Sequence, residues 1–236
     1  ATVYEKSGNT TAMADSLGGV WRAYSNGNRT KSWVNDGKLD PSSVGDFISM
    51  AKENFDKGYI SGATQWSDDW LPQGQSDGAQ ANKTFGFFFP TWAIAKGGSL
   101  EQAEGGEGGS TYGKYALCEG PTSWFWGGTW ICAAAGTDNA DLVKDIMLKM
   151  TTDDDIMKDI VVKDDDFVNN STVMDGLADG TIMGKDDKPY TSTVLGGQNP
   201  LPMYIAGVKT LDLSNLSAYD QGCNEEFQKA MKDYFE

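Results

Sequence analysis

The segment PTSWFWGGTW, residues 121–130, places three indoles within seven residues, beside a Gly-Gly pair. Alternate residues of an extended chain point to the same side, so this spacing predicts that Trp124, Trp126 and Trp130 share one face of a strand. An indole face stacks on ligands that are flat and partly apolar. The segments QWSDDW at 65–70 and PTW at 90–92 repeat the aromatic enrichment, the first with carboxylates and an amide. Together these groups predict a site for a sugar.

The charge balance narrows the class of partner. The chain has 236 residues, with 34 acidic and 19 basic side chains and a net charge of −15. A protein with this much negative charge is repelled by nucleic acid phosphates and by anionic lipid. No nucleic acid partner is therefore expected. The net charge favours a neutral or cationic ligand.

Histidine is absent from the chain, and this limits its chemistry. The usual general base, the usual zinc ligand and the Ser-His-Asp arrangement are all excluded. The runs Asp153–Asp155 and Asp164–Asp166 lack the spacing and the glycine of a calcium loop. We therefore expect no metal and no cofactor.

Three cysteines lie at 118, 132 and 223, and none belongs to a Cys-x-x-Cys pair. Cys118 and Cys132 flank the tryptophan-rich segment, so a hairpin there leaves two alternatives, a disulfide or buried free thiols. Cys223 shares a helical face with Phe227 and Met231, which predicts a core position.

Capping residues and hydrophobic periodicity predict an α/β chain. Predicted strands cover 84–90, 112–118 and 129–135, and the glycine-rich residues 97–110 are expected to form a mobile loop. Predicted helices lie near 41–57, 91–95, 138–150, 152–160, 171–178, 200–211 and 217–235.

The order of several short segments carries a resemblance to a known family. These are DKGY at 56–59, QWSDDW at 65–70, GFFFPTW at 86–92, EGP at 119–121, WGGTW at 126–130, GTDN at 136–139 and SAYDQG at 217–222. From about Arg29 onward the chain resembles the latter part of a family 1 extracellular solute-binding protein. That family contains the sugar-binding components of bacterial ABC importers.

The resemblance implies a type II periplasmic-binding-protein-like fold, of which this chain is the C-terminal portion. Residues 1–130 and 186–236 would form the C-terminal lobe. Residues 131–185 would cross the hinge and pack on the N-terminal lobe. Residues 1–28 match the family poorly.

The implied function is capture of a carbohydrate, expected to be an oligosaccharide, for permease subunits in the membrane. The implied location is extracellular, as a surface lipoprotein or in the periplasm, with the anchor or signal region outside this chain. The expected ligand-binding residues are Trp66, Asp69, Trp70, Trp92, Trp126, Gly127, Gly128, Trp130, Gln198 and Tyr204.

Two other functions compete with transport. Asp68 and Asp69 are a carboxylate pair for a glycoside hydrolase or lyase, but adjacent side chains point apart, so no enzyme is expected. A carbohydrate-binding module without transport would keep the aromatic platform and need no hinge.

The apolar residues of the 131–185 segment predict a further contact. Val143, Ile146, Met147, Met150, Ile156 and Ile160 offer more apolar surface than two short helices cover on each other. Such surface is seldom left exposed on a monomer, so a homodimer through this segment is expected.

Overall fold

The computed structural model describes residues 1–27, 32–75 and 83–235. The chain is mixed α/β, with helices dominating and few strands. It divides into two compact units. Unit 1 comprises residues 1–88, 119–126 and 210–236, and unit 2 comprises residues 89–118 and 127–209.

Unit 1 is built on a short parallel strand pair. Strand β1 (Thr11–Ala14) pairs with β4 (Lys83–Gly86), and Ala14 also bridges to Ile60. A small antiparallel pair, β2 (Val34–Asn35) with β3 (Lys38–Leu39), lies between them in sequence. The helices are α1 (Thr2–Lys6), α2 (Leu17–Ser25), α3 (Gly45–Asp56) and α10 (Asp220–Phe235), with 3-10 turns at Pro41–Ser43 and Leu71–Gly74.

The core of unit 1 is aromatic. Trp21 of α2 packs on Phe47 of α3 and on Phe227 of α10, with ring centroids 4.8 and 4.3 Å apart. Trp33 donates a hydrogen bond from Nε1 to Oδ1 of Asn224, at 2.9 Å. These contacts join α2, α3 and α10, and Cys223 packs against the same cluster as its helical spacing predicts.

Unit 2 is helical in its described residues. Its helices are α4 (Thr91–Ile94), α5 (Ser99–Ala103), α6 (Ala140–Thr152), α7 (Asp154–Asp164), α8 (Ser171–Asp179) and α9 (Leu201–Thr210), with a 3-10 turn at Lys185–Asp187. Side chains of α7, α8 and the start of α9 form its core, which includes Met157, Val161, Met174, Leu177 and Leu201.

Five predictions of local structure are wrong. Residues 112–118 and 129–135 form no strand, and the strand predicted at 84–90 ends at Gly86. Gly127 and Gly128 have φ of +67° and +142°, so the backbone turns and the indoles 124, 126 and 130 do not share a strand face. Residues 97–110 contain α5, whose Leu100 and Ala103 are buried, instead of one continuous loop.

Both alternatives for the cysteine pair are also wrong. Cys118 and Cys132 are free and exposed, so the pair is neither a disulfide nor buried. Among the described residues, no helix is long and apolar enough to cross a membrane. The assignment of residues 1–130, 131–185 and 186–236 to lobes of a solute-binding protein stays a prediction.

Candidate functional site

A buried carboxylate fixes the aromatic segment of unit 1. Asp15 follows β1 and is fully buried. Its carboxylate accepts hydrogen bonds from Nε1 of Trp70 at 2.7 Å, from the Ser16 hydroxyl at 2.9 Å and from the backbone N–H of Phe88 at 3.0 Å. Its carbonyl accepts a further bond from the Gln73 amide, at 2.8 Å. Asp15 thereby ties β1 to the turn that carries Trp70.

Trp66 is the exposed member of this segment. Its side chain is 58% exposed, although its ring lies 4.8 Å from the Trp70 ring and 6.0 Å from the Trp126 ring. Its backbone has φ of +73°, a left-handed conformation that is unusual for a bulky residue. Strained residues of this kind concentrate at ligand sites.

Trp126 lies between Trp66 and a cation. The Arg22 guanidinium of α2 is 4.3 Å from the centroid of the Trp126 ring, in a cation–π contact. The segment that carries Trp126 is fixed to the end of α2, because the N–H of Phe125 donates to the carbonyl of Asn26 at 3.0 Å. Trp124 packs beside Trp126, with 5.9 Å between ring centroids.

A cavity of about 380 Å3 opens beside Trp66 and Arg22. Small-molecule sites typically occupy about 300–1,000 Å3. The cavity is bounded by α2, by the segment 61–66 and by α10, and its lining includes Leu17, Gly18, Arg22, Phe55, Gln65, Trp66, Glu225, Gln228, Lys229, Met231, Lys232 and Phe235. The lining thus combines apolar surface with amides and charged groups.

Two hydrogen-bond donors at this cavity lack an acceptor. Nε of Arg22 and Nε2 of Gln65 are shielded from water and donate no hydrogen bond within the described residues. A buried donor without an acceptor costs about 1–3 kcal/mol, so such groups are uncommon in folded proteins. Burial lowers the pKa of Arg22, and the charge of Glu225 raises it. The side chain nonetheless stays cationic, because arginine does not deprotonate in proteins.

Four further predicted residues, Trp92, Gly127, Gly128 and Trp130, lie in unit 2. Trp92 is partly exposed, at 36%, and its Nε1 is 3.7 Å from the place where a Cβ on Gly127 would stand. A side chain at Gly127 would also be strained by its positive φ. Trp130 is exposed at 79% and Gly128 is also exposed. These four residues remain candidates for ligand contact.

Three of the predicted ligand-binding side chains are already engaged or shielded. Trp70 is 0% exposed and its Nε1 is bound to Asp15, so it supports Trp66 and does not stack on a ligand. The Gln198 amide both donates to the carbonyl and accepts from the N–H of Leu117, at 2.9 and 2.7 Å. The Tyr204 hydroxyl is shielded from water, and its ring packs on Phe167. Asp69 is exposed but lies outside the cavity lining.

Gly18 and Arg22 lie outside every segment predicted to bind a ligand, and Gln65 lies in the predicted segment QWSDDW without an expected role of its own. Residues 1–28 had no interpretation, and the contact of α2 with α10 joins distant parts of the chain. The one local signal was Ser16, whose hydroxyl accepts from the Gly19 N–H at 3.0 Å and starts α2, which places Gly18 and Arg22 on one helix face.

Within residues 1–27, 32–75 and 83–235, no group of three or more His, Cys, Asp or Glu side chains is placed to hold a metal ion. No protein-family model, no curated protein and no solved structure matches the chain. The function is therefore inferred from the residues themselves.

Proposed function

We propose that the protein binds a carbohydrate, in the manner of the solute-binding components of ABC importers. The observation that carries the proposal is Trp66, an exposed indole held in a left-handed backbone at the rim of a cavity. Trp70 and Trp126 pack against its edges and leave much of its surface to solvent. An indole face stacks on the C–H groups of a pyranose, while amide and guanidinium donors take its oxygens.

The transport role rests on the resemblance described above. In that role residues 1–130 and 186–236 belong to the C-terminal lobe of a type II binding protein, and residues 131–185 cross the hinge. The protein acts outside the cell, as a lipoprotein or in the periplasm, and delivers its ligand to permease subunits. The proposed role is binding and not catalysis. Asp68 and Asp69, the carboxylate pair of the competing hydrolase or lyase hypothesis, are adjacent, exposed and outside the cavity lining.

The test is calorimetric titration of the protein with a panel of oligosaccharides. Trp66→Ala should weaken binding of any oligosaccharide that binds. Covering roughly 80 Å2 of the ring at about 25 cal/mol per Å2 gives about 2 kcal/mol, or roughly 30-fold in Kd. Phe85→Ala is the control, because Phe85 is 59% exposed in unit 1 and lies outside the cavity.

Gly18→Leu tests the cavity independently of the indole. A Cβ at Gly18 would stand 3.4 Å from Oε1 of Gln65 and 3.5 Å from Oε1 of Gln228, which are ordinary contacts. Alanine is therefore tolerated there, whereas leucine extends into the cavity. We expect Gly18→Ala to bind nearly as wild type and Gly18→Leu to lose binding with its fold intact. Unchanged binding in both Trp66→Ala and Gly18→Leu would refute this site.

A further inference from the structure

The cation at this cavity makes no direct ion pair within the residues that the structure describes. The side chain of Arg22 forms no ion pair or hydrogen bond in the described part of the chain, and its Nε–H lacks an acceptor there. Glu225 also lines the cavity, but its carboxylate accepts a hydrogen bond from the Gln221 amide at 3.0 Å. Lys229 is paired on the surface with Glu226. Within the described residues Arg22 is therefore a positive group without a direct ion-pair partner beside open volume, although the charge of Glu225 acts on it and raises its pKa.

The orientation of Arg22 is fixed before a ligand arrives. One face of the guanidinium lies on the Trp126 ring, at 4.3 Å, and Trp126 in turn contacts Trp66. A guanidinium that stacks with its face presents its N–H groups at its edge, which matches the two oxygens of a carboxylate. The exposed Trp66 indole and the unpaired Gln65 amide line the same cavity.

We propose that the saccharide bound in this cavity is acidic, with a carboxylate that accepts hydrogen bonds from Arg22. This inference rests on the proposed function and adds the class of sugar. It also reverses the expectation of a neutral or cationic ligand, which came from the net charge of −15. Net charge governs long-range attraction, whereas selection at contact depends on the groups that line the cavity.

The experiment compares two ligands that differ only in the acid group. A short oligogalacturonide and the same oligosaccharide after carboxyl reduction are titrated into the wild-type protein and into Arg22→Gln. We expect the wild type to bind the acidic sugar at least about tenfold more tightly. Arg22→Gln should lower the affinity for both sugars, which share the guanidinium as a donor, and should abolish the preference, because only the acidic sugar has the carboxylate that this group recognises.

Lys57→Gln is the matched control for the loss of one positive charge. Lys57 is in unit 1, pairs with Glu53 and lies outside the cavity, so its loss should leave the preference unchanged. Arg22→Lys keeps the charge without the planar fork and should retain only part of the preference. Raising the salt concentration should weaken binding of the acidic sugar and leave binding of the neutral sugar unchanged, which tests the wild type without any variant.

The outcomes separate this inference from the proposed function. Equal wild-type affinity for the two sugars, or tighter binding of the neutral one, overturns the acidic ligand and leaves carbohydrate binding in place. If neither the acidic nor the reduced oligosaccharide binds, and no member of the full neutral panel binds, carbohydrate binding itself is overturned. An acidic preference that survives in a folded Arg22→Gln overturns the role of Arg22.

Discussion

Replacement of Asp15 by asparagine should change how the stability of unit 1 depends on pH. Asp15 is fully buried, and burial raises its pKa from 3.8 to about 6, although the bonds from Trp70, Phe88 and Ser16 oppose the rise. Asparagine keeps an oxygen for the Trp70 bond and cannot ionise. The variant therefore removes the titration and keeps the main contact.

The sign follows from the raised pKa. Below pH 3.8 the carboxyl is protonated in both states, and its contribution to stability is fully present. As the pH rises, the unfolded chain ionises first, while the folded protein holds its proton until about pH 6. The free energy of unfolding therefore falls with rising pH. At 1.36 kcal/mol per pKa unit the total loss is about 3 kcal/mol, of which about 1 kcal/mol falls between pH 5 and pH 7.

The assay is urea unfolding followed by tryptophan fluorescence at several pH values between 4.5 and about 7.5. Six of the eight tryptophans, at 21, 33, 66, 70, 124 and 126, belong to unit 1, so the signal reports mainly on that unit. Burial also raises the pKa of Glu104 in unit 2, to about 7, but that effect is common to both proteins. Asp69→Asn controls for loss of an exposed carboxylate. Parallel pH profiles for wild type and Asp15→Asn would refute the reasoning.

Two further outcomes test the exposed parts of unit 2 and the thiols. Helix α6 has no buried residue, and Leu142 and Ile146 are 59% and 45% exposed. We therefore expect light scattering to show a homodimer, which the double variant Leu142→Lys, Ile146→Lys converts to a monomer. A wild type that is monomeric at all concentrations would contradict this. Cys118 and Cys132 should react at once with a thiol reagent in the folded protein, and the half-buried Cys223 only slowly; equal rates for all three would contradict the described burial.

Helices were predictable from the sequence because their signals are local. Helix α8 was predicted at 171–178 and spans Ser171–Asp179, since the Asn170 side chain accepts from the Val173 N–H at 3.1 Å and Gly180 ends the helix with φ of +81°. The strands at 112–118 and 129–135 were wrong because a strand needs a partner edge, which an apolar run does not supply. The site could be predicted only in part, because it too depends on contacts between distant parts of the chain. Trp66 stands out in the sequence, whereas Arg22 and Gln65 matter only through the contact of α2 with α10.

Three locally unfavourable features of unit 1 lie in one connected group. Asp15 is a carboxylate shielded from solvent, Trp66 has a left-handed backbone, and Arg22 has an N–H without an acceptor among the described residues. Asp15 accepts a hydrogen bond from Trp70. The rings of Trp70 and Trp126 both contact Trp66, and the Arg22 guanidinium lies on the Trp126 ring. A left-handed backbone alone costs about 1–2 kcal/mol. Natural chains keep such conflicts mainly where function requires them, so their coincidence at one cavity favours a ligand site over a core that packs aromatic residues for stability alone.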